Sequence, residues 1–258
     1  MISSLQNPRV KQLVKLREKS SERQKQGLFI IEGHGEIALA CEAGVVFREI
    51  FYCAEIADPA LLTRFDPHLL QEVTLPVFEK IAYREHSGGI IGLAEYHPLG
   101  LRELRLSANP FLIILEAVEK PGNLGAILRT ADAAKADAVI ICDPKTDLGN
   151  PNVIRSSLGC VFSTQVVAAS SDETLDFLKE KKIKSYAAAL TAVNYYHETD
   201  LTAACAIVMG TESTGLTEKW LREADDQIKI PMRGRIDSLN VSTSCAIIVF
   251  EAMRQRGF

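Results

Sequence analysis

The sequence predicts an α/β protein whose larger C-terminal part is a parallel sheet flanked by helices, preceded by a smaller N-terminal α/β domain. Three observations lead there. From Phe111 onward, short apolar runs alternate with amphipathic stretches of helical spacing, and strands apolar on both faces that alternate with helices imply a parallel sheet covered on both sides. Residues 97–110 (HPLGLRELRLSANP) carry two prolines, a glycine and charge, the composition of a linker. The 258 residues are 47% apolar and 24% charged, as in an ordinary globular chain of one or two domains.

Taking the elements in order, residues 7–19 place Val10, Leu13, Val14 and Leu16 at near-helical spacing between charges, which predicts an amphipathic helix. Residues 28–31 read as a buried strand stopped at Gly33, 37–42 as a helix closed by Gly44, 47–52 as the next strand and 90–96 as a last short one. The first domain therefore spans 1–96, the linker 97–110 and the second domain 111–258. In the second domain, strands are expected at 111–118, 138–143, 165–169, 185–190, 205–210 and 227–230. Helices are expected at 124–135, 153–158, 173–182 and 217–224, with a long final one at 241–255.

Composition excludes several function classes. The longest unbroken aliphatic runs reach about five residues, against the roughly 18 to 20 of a membrane span. The basic N-terminus has neither the apolar core nor the cleavage site of a signal peptide, so a soluble, cytoplasmic protein is expected. Cys41, Cys53, Cys142, Cys160, Cys205 and Cys245 are widely spaced with no C-x-x-C pair, and read as buried thiols of a reducing compartment. Residues 1–26 hold seven bases and two acids, a local charge of +5 in a chain of net charge −4. A phosphate-contacting arm and a solvated helix face both satisfy that pattern.

Familiar motifs are missing. The turn after the first strand of the second domain, Lys120-Pro121-Gly122-Asn123-Leu124-Gly125, is no G-x-G-x-x-G, and no P-loop occurs. Ser213 has no glycine two residues before it, so Gly210 to Gly215 is not a hydrolase elbow. His34, His68, His86, His97 and His197 never fall at i, i+4, and no metal site is expected. Three polar clusters remain, each after a predicted strand: PGNLGAILRTA (121–131), MGTESTGL (209–216) and IPMRGRIDSLNVS (230–242). Ligands of parallel sheets sit at the carboxyl ends of the strands. Glycine turns there let backbone amides approach a ligand, and Asn123, Glu212, Ser238 and Asn240 supply side-chain hydrogen bonds. Singly, Gly122-Asn123 also fits a plain turn and Ser238 to Asn240 a helix N-cap; together the three fit one cofactor pocket.

These clusters resemble the three motifs of the SpoU (TrmH-like) branch of the SPOUT superfamily, S-adenosylmethionine-dependent RNA ribose 2′-O-methyltransferases. Motif 1 is carried by Asn123 and Arg129-Thr130-Ala131, motif 2 by Gly210, Glu212 and Gly215-Leu216, and motif 3 by Ile230-Pro231-Met232 with Ser238-Leu239-Asn240-Val241-Ser242. The N-terminal third, with NPRVK and LFIIEG, is similar to the family's substrate-binding domain, which resembles kink-turn-binding ribosomal proteins. The resemblance implies a C-terminal trefoil knot, a homodimer formed through the knotted domain, and S-adenosylmethionine as cofactor. It places the cofactor among Leu190, Thr191, Met209, Gly210, Gly215, Ile230, Met232 and Leu239. Asn123, Arg129, Glu212, Ser238 and Asn240 become the catalytic group, with Asn123 and Asn240 positioning ribose and backbone and Glu212 orienting Arg129 or Asn123. Arg9, Lys11, Lys15, Arg23 and Arg155 are expected to meet RNA; Arg155 equally fits a dimer contact or an exposed helix arginine.

The family proposal makes the motif 1 arginine the base that takes the ribose proton. Holding a guanidinium of pKa near 13 neutral at pH 7 costs roughly 8 kcal/mol, so a phosphate clamp that orients the hydroxyl is the preferred role for Arg129. Thr243-Ser244-Cys245 replaces the commoner small apolar run after motif 3, and Ser213-Thr214 fills a stretch often holding glycine or a charge, without removing a motif residue. Ribosomal RNA of the large subunit is the expected substrate. Transfer RNA, or a non-catalytic RNA-binding or ribosome-assembly role for the same fold, are the alternatives.

Overall fold

Asn7 accepts a hydrogen bond from the Arg9 amide and Pro8 follows it, so the first helix begins where a cap and a preset φ put it. The computed structural model describes residues 1–84 and 88–258; His86 lies outside the described residues. In chain order the elements of the first half are α1 (Pro8–Glu18), α2 (Ser20–Gln26), β1 (Leu28–Glu32), α3 (His34–Glu42), β2 (Phe47–Tyr52), α4 (Pro59–Leu62), β3 (Leu70–Glu72), α5 (Leu75–Ile81), β4 (Ile90–Glu95), β5 (Phe111–Glu116) and α6 (Pro121–Ala133). There follow β6 (Ala138–Cys142), α7 (Pro151–Ser156), α8 (Cys160–Ser163), β7 (Val166–Ala169), α9 (Ser171–Lys181), β8 (Lys184–Ala188), β9 (Asn194–Tyr195), β10 (Cys205–Met209), α10 (Glu218–Glu223), β11 (Asp226–Lys229) and α11 (Val241–Arg256).

One unit comprises Met1–His97 and Asp147–Ser163. Its four strands run β1-β4-β2-β3, antiparallel except for the β2–β3 pair. Val10, Leu13 and Leu16 of α1 share a core with Phe51, Ile91 and the α5 residues Val77, Phe78 and Ile81. A second core joins Phe29, Ile31, Ile50 and Ile90 to Ile37 and Ala40 of α3 and Ile154 of α7. Successive strand residues point to opposite faces, so the sheet is a layer between two apolar cores.

Residues 147–163 thus pack with the first unit, whereas contiguity along the chain had placed them in the second domain. Glycine makes the approach possible: a Cβ at Gly159, whose φ is +84°, would lie 3.0 Å from Leu39 Cδ1 and 3.1 Å from Glu36 Cα. The sequence pattern also passed over α2, β3 and α5. Within α2 only Arg23 is buried, so no apolar stripe marks the helix.

The other unit comprises Pro98–Thr146 and Thr164–Phe258. Seven strands, ordered β7-β6-β5-β10-β8-β11-β9, pair in parallel throughout. Every residue of β5, β6 and β10 is buried, as the continuous apolar runs require. On one face, Leu112, Ile114, Ala206 and Val208 meet Leu175, Phe177 and Leu178 of α9 and Trp220 of α10. Leu101, Leu104 and Leu106 pack on this core, so residues 98–110 are structured chain of this unit and the linker expectation is corrected. The long α11 packs on β10 and on α6. From β5 the chain steps outward to β6 and β7, then resumes on the far side of β5, which makes the β5/β10 boundary the topological switch point where ligands of such sheets bind. Among the described residues, no helix is long and apolar enough to cross a membrane.

Candidate active site at the carboxyl ends of the parallel strands

The ends of β8, β10 and β11 open into one cleft of about 420 Å³. Leu190, Thr191, Met209, Gly210, Gly215, Ile230, Met232 and Leu239 all line it, as do Glu212 and Ser238. The residues named, up to 49 positions apart, are gathered this way because parallel strands deliver their exits to a common edge. Asn123, Arg129 and Asn240 are not part of the cleft wall.

The loop between β10 and α10 is closed tightly. A Cβ on Gly210 would lie 2.2 Å from the Gly215 carbonyl carbon, so only glycine fits. Thr211 and Gly215 exchange backbone hydrogen bonds of 3.0 and 3.1 Å, and Gly215 turns the chain at φ +69°. The Thr214 amide donates to Thr211 Oγ1 at 3.1 Å. At the loop's exit, Thr217 donates from its amide and its hydroxyl to the carboxylate of Glu116, at 2.8 and 2.7 Å. Neither residue stood out in sequence; an acid closing the aliphatic run FLIILE was the available signal.

Three of the predicted polar residues meet. The Asn123 amide donates to Glu212 Oε1, and the Asn240 amide donates to Asn123 Oδ1 at 3.1 Å. A carboxylate can only accept, so Glu212 sets which way the Asn123 amide faces, and that in turn leaves its oxygen for Asn240. Asn240 also caps α11, its Oδ1 accepting from the Ser242 amide at 2.9 Å and the Thr243 amide at 3.4 Å. Ser238 Oγ donates to Asp237 at 2.9 Å. Glu212 therefore contacts Asn123, and Arg129 stands apart: it is exposed on the same face of α6 as Gly122, Ala126 and Ala133. It carries no hydrogen bond or ion pair among the described residues. Six helical residues place it about 9 Å along the axis from Asn123.

The expected RNA-contacting residues divide. Lys11 and Lys15 are exposed. Arg9 is half-exposed and pairs with Glu49 at 3.1 Å and Gln71 at 3.0 Å. Arg155 donates to Asn152 at 2.8 Å and lies over the Tyr83 ring. Arg23 is corrected: it is 4% exposed, holds Asp147 through Nε at 2.9 Å and NH2 at 2.7 Å, and donates to the Leu16 carbonyl. Its fork is saturated inside the first unit and has nothing left for a phosphate. Of the cysteines expected to be buried, Cys53, Cys142, Cys205 and Cys245 are, whereas Cys160 is half-buried and Cys41 is exposed. Burial pushes the Cys142 and Cys245 thiols up to about 12.

Residues 110–250 match the SpoU rRNA Methylase family, and residues 7–92 match the MRM3-like substrate binding domain. Among known proteins, the 23S rRNA (guanosine(2553)-2′-O)-methyltransferase RlmP of Bacillus subtilis (strain 168) is 31% identical over 250 residues, covering 96% of this chain and 97% of that protein. The crystal structure of an RNA 2′-O ribose methyltransferase superposes with a TM-score of 0.86 at 40% identity, over 100% of this chain and 99% of the other. The AdoMet-bound rRNA methyltransferase of Sinorhizobium meliloti superposes with a TM-score of 0.90 at 28% identity, over 98% and 97% of the two chains. Kinship along the whole length accompanies a cleft built at the parallel strand ends, and the chain belongs to the SpoU rRNA methylase family.

Proposed function

We propose that this chain transfers a methyl group from S-adenosylmethionine to a ribose 2′-hydroxyl of large-subunit ribosomal RNA. The observation that carries the reading is the meeting of the second and third polar clusters in one cleft, with Asn123 of the first joined to them by hydrogen bonds to Glu212 and Asn240. Ribosomal RNA is favoured over transfer RNA because relatives aligned along the full length are named for it.

The cleft suits the cofactor. Its volume falls within the roughly 300–1,000 Å³ of small-molecule sites, Leu190, Ile230, Met232 and Leu239 offer apolar walls for a purine, and Gly210, having no side chain, brings backbone to the wall. When bound, S-adenosylmethionine supplies an electrophilic methyl group on its sulfonium. The protein's own task is to hold a weak nucleophile in line. Exposed and unpaired among the described residues, Arg129 clamps a phosphate of the target with its two-pronged guanidinium, orienting the hydroxyl, which sheds its proton late, to solvent water. Asn123, its direction set by Glu212, and Asn240 position the ribose. Ser238 faces the same cleft. Lys11 and Lys15 on α1, with Arg9, engage backbone phosphates at the first unit.

The mixed sheet of that unit, layered between helices, supports its likeness to kink-turn-binding ribosomal proteins. We read the C-terminal segment as a trefoil knot: after β11, residues 230–240 run along the cleft and α11 returns onto β10 and α6. Phe250, 42% exposed on α11, supports a homodimer through this unit, and a ribosomal substrate supports a cytoplasmic location.

The test is transfer of tritiated methyl from S-adenosylmethionine to total RNA, intact subunits and precursors from cells lacking this protein, with Arg129→Ala as control. Label on one ribose with wild type alone is expected. No label, despite cofactor binding, overturns the catalytic reading in favour of a scaffold.

A further inference from the structure

The last residue of β5 is a carboxylate at the end of an aliphatic strand. Glu116 is 3% exposed, and among the described residues no cation pairs with it. An ionised carboxylate is costly to bury unless its oxygens are hydrogen-bonded, and both are: Oε2 accepts from the Thr217 amide at 2.8 Å and Oε1 from the Thr217 hydroxyl at 2.7 Å. Thr217 stands at the N-cap position of α10, yet its side chain makes no cap bond there. The hydroxyl is turned to Glu116.

Thr217 is where the glycine-closed loop from Gly210 ends. That loop lines the cleft from Met209 to Leu216 and carries Glu212, which in turn sets the Asn123 amide. β10 holds the entrance of the loop through its pairing with β5 up to Met209, and Glu116, one residue further along β5, holds the exit. We infer that Glu116 is a positioning residue: by bracing Thr217 it sets the wall of the cofactor cleft and the aim of Glu212. The inference rests on the methyl-transfer reading above. Both Thr217 groups donate to a charged acceptor here. A glutamine accepts the amide with its one oxygen but presents NH2 to the hydroxyl, which must rotate to accept, and the charge that strengthens both bonds is lost.

The test uses the full chain as wild type, Glu116→Gln, Thr217→Val and Thr217→Ser. Calorimetry gives the Kd for S-adenosylmethionine, hydrogen exchange gives the mobility of amides 211–217, and steady-state rates give KM for cofactor and RNA. Glu116→Gln is expected to raise Kd and the cofactor KM about tenfold, the scale of one lost charged hydrogen bond. It should accelerate exchange across 211–217 with α6 and α11 unchanged, and keep the RNA KM within twofold. Thr217→Val should show the same pattern at about threefold, and Thr217→Ser should match wild type. A folded Glu116→Gln with unchanged Kd and loop exchange overturns the inference. If Glu116→Gln does not fold, the Val and Ser pair decides, and equal behaviour of the two overturns it. A wild type that binds the cofactor without methylating RNA rejects the reaction alone, leaving Kd and exchange to judge Glu116; one that binds no cofactor rejects both.

Discussion

Asn240 donates its side-chain amide to Asn123 Oδ1 at 3.1 Å, joining the cap of the last helix to the first turn of α6 across 117 positions of sequence. One asparagine thus serves two elements. Its oxygen holds the start of α11 and its nitrogen holds a residue that Glu212 orients, so the helix cap and the contact with Asn123 are separable there by choice of substituent. Asn240→Ser keeps a capping oxygen and loses the reach to Asn123; it should retain the melting temperature while kcat falls at least tenfold. Asn240→Ala should lose both, with about 1 kcal/mol of stability gone. Thermal melts beside initial rates distinguish the two.

Arg129 has no partner to lose among the described residues, so its replacement should leave stability within about 0.5 kcal/mol. Arg129→Lys keeps the charge and discards the fork; kcat/KM for RNA should drop 10- to 100-fold with cofactor Kd unchanged. Near-full activity in the lysine variant would remove the clamp role.

Gly210→Ala introduces a Cβ 2.2 Å from backbone carbon. Backbone cannot swing aside as a side-chain tip can, so the loop must shift. A loss of about 1–3 kcal/mol in denaturant unfolding and at least tenfold weaker cofactor binding are expected.

In the first unit, Arg23 and Lys11 should behave oppositely. Arg23→Ala strands the carboxylate of Asp147, whose side chain is 17% exposed, and should cost about 3 kcal/mol in urea unfolding. Lys11→Ala with Lys15→Ala should leave unfolding unchanged and flatten the salt dependence of RNA binding by nearly one unit of slope per phosphate contact.

Arg254, donating twice at 2.8 Å, and then Gln255 hold the carboxyl of Glu251 down to about 2. A carboxylate depressed in the folded state stabilises above its unfolded pKa and loses that contribution as pH falls through the folded one. Glu251→Gln should therefore melt below wild type at pH 7, with the gap closing between about pH 4.5 and 2. A gap constant across that range would contradict the ion pair.

The parallel sheet was legible because burial on both faces forces continuous apolar runs such as FLIILE and CAIVM, and the cluster at 209–216 was legible in its glycines because the backbone at Gly210 tolerates no Cβ and Gly215 turns at positive φ. Arg23 was not legible. Its charge matched Lys11 and Lys15 in sequence, and only the arrival of Asp147 from 124 positions away turned it inward. Nor could spacing along the chain show that residues 147–163 pack with the first unit, since Ile154 is an ordinary helical aliphatic until its neighbours are known.

What the sequence by itself determined is the class of fold, the edge of the sheet that bears the site and the residues gathered there, because periodicity and glycine placement are local consequences of burial and backbone sterics. Tertiary structure alone decided which polar groups pair. Glu212 with Asn123, Glu116 with Thr217 and Arg23 with Asp147 are directional contacts between distant segments, and hydrogen bonding depends on ångström distances that no one-dimensional pattern encodes.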